Sequence, residues 1–122
     1  MILDLLRALG ALTEATFVVR NADAVAETVT PRRVSVDGGW ATLDGEGCGC
    51  HIHLRIDQIA EARFVQEPGH AIGTKAYSVQ FFHVAGERPV LSVYLPPDTY
   101  YDVLERFGWQ ERIAFRPDLP AA

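Results

Sequence analysis

The sequence predicts an α+β domain, with one large antiparallel β-sheet flanked by an N-terminal and a C-terminal helix. Three observations carry that expectation. The chain has 122 residues and 48% apolar content, enough for one ordinary core and one domain over residues 1–122. From residue 15 to residue 96 it is a run of short alternating segments separated by Gly, Asp, Asn and Pro turn signals. Its two ends instead repeat apolar residues at helical spacing, and strands between terminal helices are the pattern of an α+β fold.

Ile2, Leu5, Leu6, Leu9 and Leu12 define the first helix, whose last turn is weakened by Gly10. The period changes at Ala15: Thr16 to Arg20 is a strand, and Asn21-Ala22-Asp23 supplies short polar side chains for a turn. Ala24 to Thr30 is a second strand ended by Pro31. Arg33 to Val36 is a third, and Asp37-Gly38-Gly39 turns it into Trp40 to Leu43. Asp44 to Gly47 is another turn before a strand over Cys50 to Ile56. Ile59 to Gln66 continues the sheet or makes a short irregular crossing, and Pro68 to Gly73 is a loop.

The centre of the domain is Thr74 to Pro96, two alternating strands broken at Gly86-Glu87. Alternation puts Tyr77, Val79, Phe81 and His83 on one face of the first strand, and Ala76, Ser78, Gln80 and Phe82 on the other. Pro96-Pro97-Asp98 then opens a helix, with Asp98 placed to cap its amides, and Tyr100, Tyr101, Val103, Leu104 and Phe107 form its apolar stripe. Gly108 ends it, and residues 112–122 form an extended tail.

Charge narrows the function. A net charge of −5 argues against a general nucleic-acid binder, which needs a basic face. Ten Arg against one Lys favours forked hydrogen bonds to carboxylates, though a GC-rich genome gives the same bias. No apolar run reaches the ~18–20 residues of a membrane span, and Asp4 and Arg7 interrupt the N-terminal pattern, so the expected location is cytoplasmic. Cys48 and Cys50, one residue apart on an extended segment, make a poor disulfide, in keeping with a reducing compartment.

The densest chemistry is Gly47 to Arg55, GCGCHIHLR. Zinc favours thiolate and imidazole ligands, but a strand sends Cys48 and Cys50 to one side and His51, His53 and Arg55 to the other. Nothing in the sequence sets a base beside either thiol, and no paired carboxylates support a hydrolase. Two imidazoles and a guanidinium remain in a row on one face. That face is either a polar edge or a site for an anionic ligand with a metal centre. Haem suits the second reading, with its iron, apolar macrocycle and two propionates, but periodicity does not choose haem over another anion. His70 is read as a solvated loop residue, His83 as a strand-end residue with a surface hydrogen bond, and Trp40 and Trp109, with Phe81, Phe82, Tyr94, Tyr100 and Tyr101, as core or dimer interface, with the lining of an apolar cavity as the alternative for some of them.

Four stretches together resemble the haem-utilisation family of HemS, ChuX and HutX proteins. They are VVRNADAVAE (residues 18–27), HIHLR (51–55), SVQFFHVAGERPVLSVYLP (78–96) and the helix over residues 98–107, in the family's order. The resemblance implies a cytoplasmic haem-binding protein for uptake, trafficking or storage, more a carrier than an enzyme, paired as a homodimer. No nucleic-acid partner and no membrane insertion are expected, from the charge and the apolar pattern given above. It assigns the haem-contacting histidine to His51, with His53 its neighbour, and the arginine near the haem to Arg55. The second haem-contacting histidine of ChuX-type proteins falls on Arg20, whose fixed charge suits a propionate instead. His83 stands where the family usually has Asp. A haem-degrading enzyme using an external reductant, or an interaction domain of the same fold without haem, are the alternatives.

Overall fold

The computed structural model describes residues 2–29, 32–45, 51–84 and 86–108, together with the backbone of residues 113–116. Cys48, Cys50, Trp109 and the tail beyond residue 116 lie outside the described residues. Among the described residues, two helices, α1 (Ile2–Gly10) and α2 (Pro97–Phe107), accompany nine strands in two sheets. The large sheet holds β1 (Thr16–Arg20), β2 (Val25–Thr28), β6 (Ile59–Pro68), β7 (Lys75–His83), β8 (Pro89–Leu95) and β9 (Ile113–Arg116), in the order β2-β1-β8-β7-β6-β9. Its pairings are antiparallel except for β9, which runs parallel to β6. The small sheet is a meander of β3 (Arg32–Asp37), β4 (Trp40–Gly45) and β5 (His51–Leu54).

One face of the large sheet carries the core. Phe17 of β1, Phe64 of β6, Val79 and Phe81 of β7, and Leu91 and Val93 of β8 are all 1% exposed or less. Against them pack Leu5, Leu6 and Leu9 of α1, Leu43 and Leu54 of the small sheet, and Tyr100 and Phe107 of α2. Burying each such side chain contributes about 1.5–3 kcal/mol, so this shared face decides how the helices and the small sheet sit. The opposite face carries Ser78 and Gln80, buried and hydrogen-bonded to each other at 3.1 Å. The central hairpin therefore separates an apolar face from a polar one, as its alternation predicts.

Turn chemistry follows the sequence closely. Asn21 accepts hydrogen bonds at its Oδ1 from the amides of Asp23 and Ala24, at 2.8 and 2.9 Å, which closes β1 onto β2. Gly38 and Gly39 both have positive φ, 58° and 84°, between β3 and β4.

Several details differ from the sequence reading. Asp44 and Gly45, expected in a turn, extend β4 and pair with Arg33 and Arg32 of β3. Ile56 leaves the β5 strand and begins a 3-10 turn, Ile56–Gln58, which re-aims the chain from the small sheet into the large one. Residues 59–68 are one long strand in place of a short crossing. Asp98 does not cap α2: Pro96 occupies the N-cap position, and Asp98 lies within the first turn, where its charge complements the helix dipole.

Candidate ligand-binding site

The small sheet builds one wall of a cavity by cross-strand pairing. The β4–β5 register sets Asp44 opposite His51 and Thr42 opposite His53. The Arg55 guanidinium, just past the end of β5, lies 5.6 Å over the Trp40 ring at the start of β4. Because side chains alternate, Ile52 and Leu54 turn towards the core while His51, His53 and Arg55 share the outward face, and all three are exposed.

One of these partners orients its imidazole. Thr42 Oγ1 and His53 Nδ1 are hydrogen-bonded at 3.0 Å, and Asp44 Oδ1 lies 3.8 Å from His51 Nδ1. In the tautomer whose Nδ1–H donates to Thr42, His53 presents Nε2 as an acceptor, the arrangement of a metal-ligating histidine. Arg55 is also within 4.0 Å of Asp57, at a half-exposed position that leaves its fork open to a further anion.

The cavity has a volume of about 530 Å³ and is bounded by both sheets. Residues 51–55 all line it from the small sheet, where β5 is the edge strand, and Trp40 joins them, so His51, His53 and Arg55 share the lining with Ile52 and Leu54. Val19 of β1, Val90 of β8, Ile59 of β6 and His83 of β7 line it from the large sheet. Its size falls within the ~300–1,000 Å³ of small-molecule sites, which are mostly apolar with a few placed polar groups. Among the described residues no three His, Cys, Asp or Glu side chains converge tightly enough to hold a bare metal ion. The imidazoles are instead spread around a broad, largely apolar hollow. The donor set fits haem: nitrogen donors for iron, apolar lining for the macrocycle, and a guanidinium for a carboxylate.

Arg20 does not join this cavity. Val19 faces it, and alternation sends the next side chain through the sheet. Arg20 lines a second cavity of about 360 Å³ on the opposite face, with Glu67, His70 and Tyr94. There the Tyr94 hydroxyl donates to Glu67 Oε1 at 3.4 Å, and burial, together with the Glu67 charge, pushes its pKa above the usual tyrosine range. Two further residues belong to the first cavity, Trp40, for which cavity lining was the alternative expectation, and His83, expected at the surface. Trp40 is 46% exposed and lines it instead of filling the core. His83 lines it too, and the signal was available, since His83 keeps the parity of the core residues Val79 and Phe81.

The sequence profile of the haem-utilisation ChuX/HutX family matches residues 2–108. This chain belongs to that family. Solved structures share the fold. A protein of Agrobacterium tumefaciens superposes with a TM-score of 0.64 at 23% identity, over 86% of this chain and 62% of that one. The haem-binding protein ChuX gives 0.64 at 15% identity, over 86% and 67%. A protein of Erwinia carotovora gives 0.63 at 20% identity, over 86% and 68%. The chain thus spans less than two thirds of the length of the Agrobacterium protein. Comparison with curated proteins gave no match. No helix among the described residues is long and apolar enough to cross a membrane.

Proposed function

We propose that this ChuX/HutX-family chain binds haem as cargo in the cavity between its two sheets, for trafficking or storage in the cytoplasm. One observation carries the reading: His51, His53 and Arg55 share one wall of a largely apolar hollow of about 530 Å³. Family membership and the likeness of fold to the haem-binding protein ChuX support it. Haem supplies an iron that accepts an imidazole nitrogen and two propionates that accept from a guanidinium.

The chain's own residues then divide the work. Imidazole nitrogen from His51 or His53 would face the metal, with the His53 ring held by its hydrogen bond to Thr42 and Asp44 lying near His51. Arg55 sits where the β5 strand ends, half exposed, and suits a propionate that remains close to solvent. Val19, Ile59 and Val90 shield the apolar body from water. Arg20, on the other face of β1, is left outside this cavity. Two copies are expected to pair, as the family resemblance implies, and sedimentation of the purified chain tests that separately.

Haemin titrated into the purified chain should give a saturable shift of the Soret band. Adding a reductant under air then separates carriage from degradation: a carrier retains its haem spectrum, whereas a degrading enzyme loses the Soret band as product forms. A titration indistinguishable from haemin in buffer overturns the proposal.

A further inference from the structure

Among the described residues, the large sheet presents one titratable side chain to the cavity, His83, and the family resemblance gives that position no role. We infer that His83 is the large sheet's ligand to the bound iron, opposing an imidazole of the β5 strand, so that the ligand bridges the two sheets. The inference rests on the haem-binding reading and adds a second nitrogen donor to it.

Strand parity sets the direction of His83. Val79 and Phe81 point into the core, and His83 follows two residues later, paired with the buried Ile59 of β6. Phe82 points the other way, with the Arg63 guanidinium 4.0 Å over its ring. A bulge in β6 between Ile59 and Glu61 lies opposite Phe82 and His83, and bulges recur where a strand must re-aim a side chain beside a site.

The end of β7 is also anchored to the other wall. The Gln58 amide donates to the Arg55 carbonyl at 3.0 Å, and the Val84 amide donates to the Gln58 carbonyl at 3.0 Å. Two successive backbone hydrogen bonds therefore tie the residue after His83 to the residue that carries the cavity's guanidinium. His83 and Arg55 are held in a fixed relation by backbone, which is the kind of support a preorganised site requires.

The chemistry follows from the spacing of the donors. A neutral imidazole offers one acceptor nitrogen. His51, His53 and His83 do not converge on a point that would suit a bare ion. They face one hollow from two sheets, which suits a flat ligand with its metal at the centre and both faces open to a donor.

The test is the spin state of the ferric complex of the full chain, read by absorption and electron paramagnetic resonance. Two nitrogen ligands give a low-spin spectrum. His83→Ala and His83→Gln should each convert it to high-spin, with added imidazole restoring the low-spin form in His83→Ala. A variant complex that stays low-spin without imidazole overturns the role of His83, while leaving haem binding itself intact. Wild-type protein that does not bind haemin overturns the functional proposal instead. The thermal midpoints of both variants should match wild type, so that a change of spin state is not a change of fold.

Discussion

The rings of His51 and His53 meet edge to face with their centroids 4.8 Å apart. Two residues separated by one along a strand are neighbours on one face, and here the His53 ring is also held from the next strand by Thr42, while Asp44 stands opposite His51. The pair is a consequence of register: a slip of one residue in β4–β5 would turn both imidazoles into the core and Ile52 and Leu54 out to water.

Thr42 positions the His53 ring. Thr42→Val keeps the shape and removes the oxygen, and outer partners of metal-ligating histidines are typically worth about 10–100-fold in metal affinity. Haemin affinity should fall towards that range in Thr42→Val and be retained in Thr42→Ser. Equal affinities for Thr42→Val and wild type would mean that His53 is not a ligand whose orientation matters.

Arg55 contributes charge at the exposed mouth. Exposed ion pairs are worth roughly 0.2–1 kcal/mol, so Arg55→Ala should weaken haemin binding only a few-fold and flatten its dependence on salt. Arg20→Ala, on the opposite face of β1, should leave the titration unchanged. The reverse ranking of these two variants would move the carboxylate contact out of this cavity.

Gly10 is fixed by a close approach between α1 and β3. Helix preference alone would make alanine better here by about 0.5–1 kcal/mol. A Cβ would lie 2.6 Å from the Arg32 carbonyl oxygen and 3.3 Å from Val34 Cγ2. Overpacking of that kind costs about 1–3 kcal/mol and decides the sign, so Gly10→Ala should lower the denaturant midpoint. A raised midpoint would show that α1 can back away from the small sheet.

Tyr100 is fully buried among the rings of Phe64, Tyr77 and Tyr101, at centroid distances of 5.6, 5.2 and 5.2 Å. Among the described residues its hydroxyl meets no hydrogen-bond partner at bonding geometry, while the nearby Gln66 amide donates to the Tyr101 hydroxyl at 3.0 Å. Burial pushes its pKa well above the ordinary tyrosine value. Above pH ~10 the unfolded chain loses this proton and the folded chain keeps it, so stability falls as pH rises through that range. Tyr100→Phe removes a buried unsatisfied group, whose burden is about 1–3 kcal/mol, and should be as stable as wild type or more so at pH 7. Its alkaline decline should be shallower, and chemical denaturation at pH 8 and pH 11 measures both effects.

Much of this architecture was legible because it is written in local patterns. The alternation of Tyr77 to His83, the helical spacing of Ile2 to Leu9 and the Asn21 and Gly38-Gly39 turns each specify their own element. The shared face of His51, His53 and Arg55 follows from period two alone. What escaped depends on contacts between distant segments. Parity separates Val19 from Arg20, but only the packing of the small sheet decides which of them meets His51. His83 sits beside a turn and resembles a surface residue until the second sheet closes over its face. The parallel pairing of β9 with β6 joins segments about 50 residues apart, and no local signal announces it.

The central claim is that the ligand lies along the edge strand β5, in the cavity that residues of both sheets line. A haemin titration of the double variant His51→Ala/His53→Ala beside wild type, both shown to be folded by circular dichroism, tests it most directly. The account predicts a saturable Soret shift in wild type that is lost or strongly weakened in the double variant. The same shift at the same affinity in both proteins would contradict it.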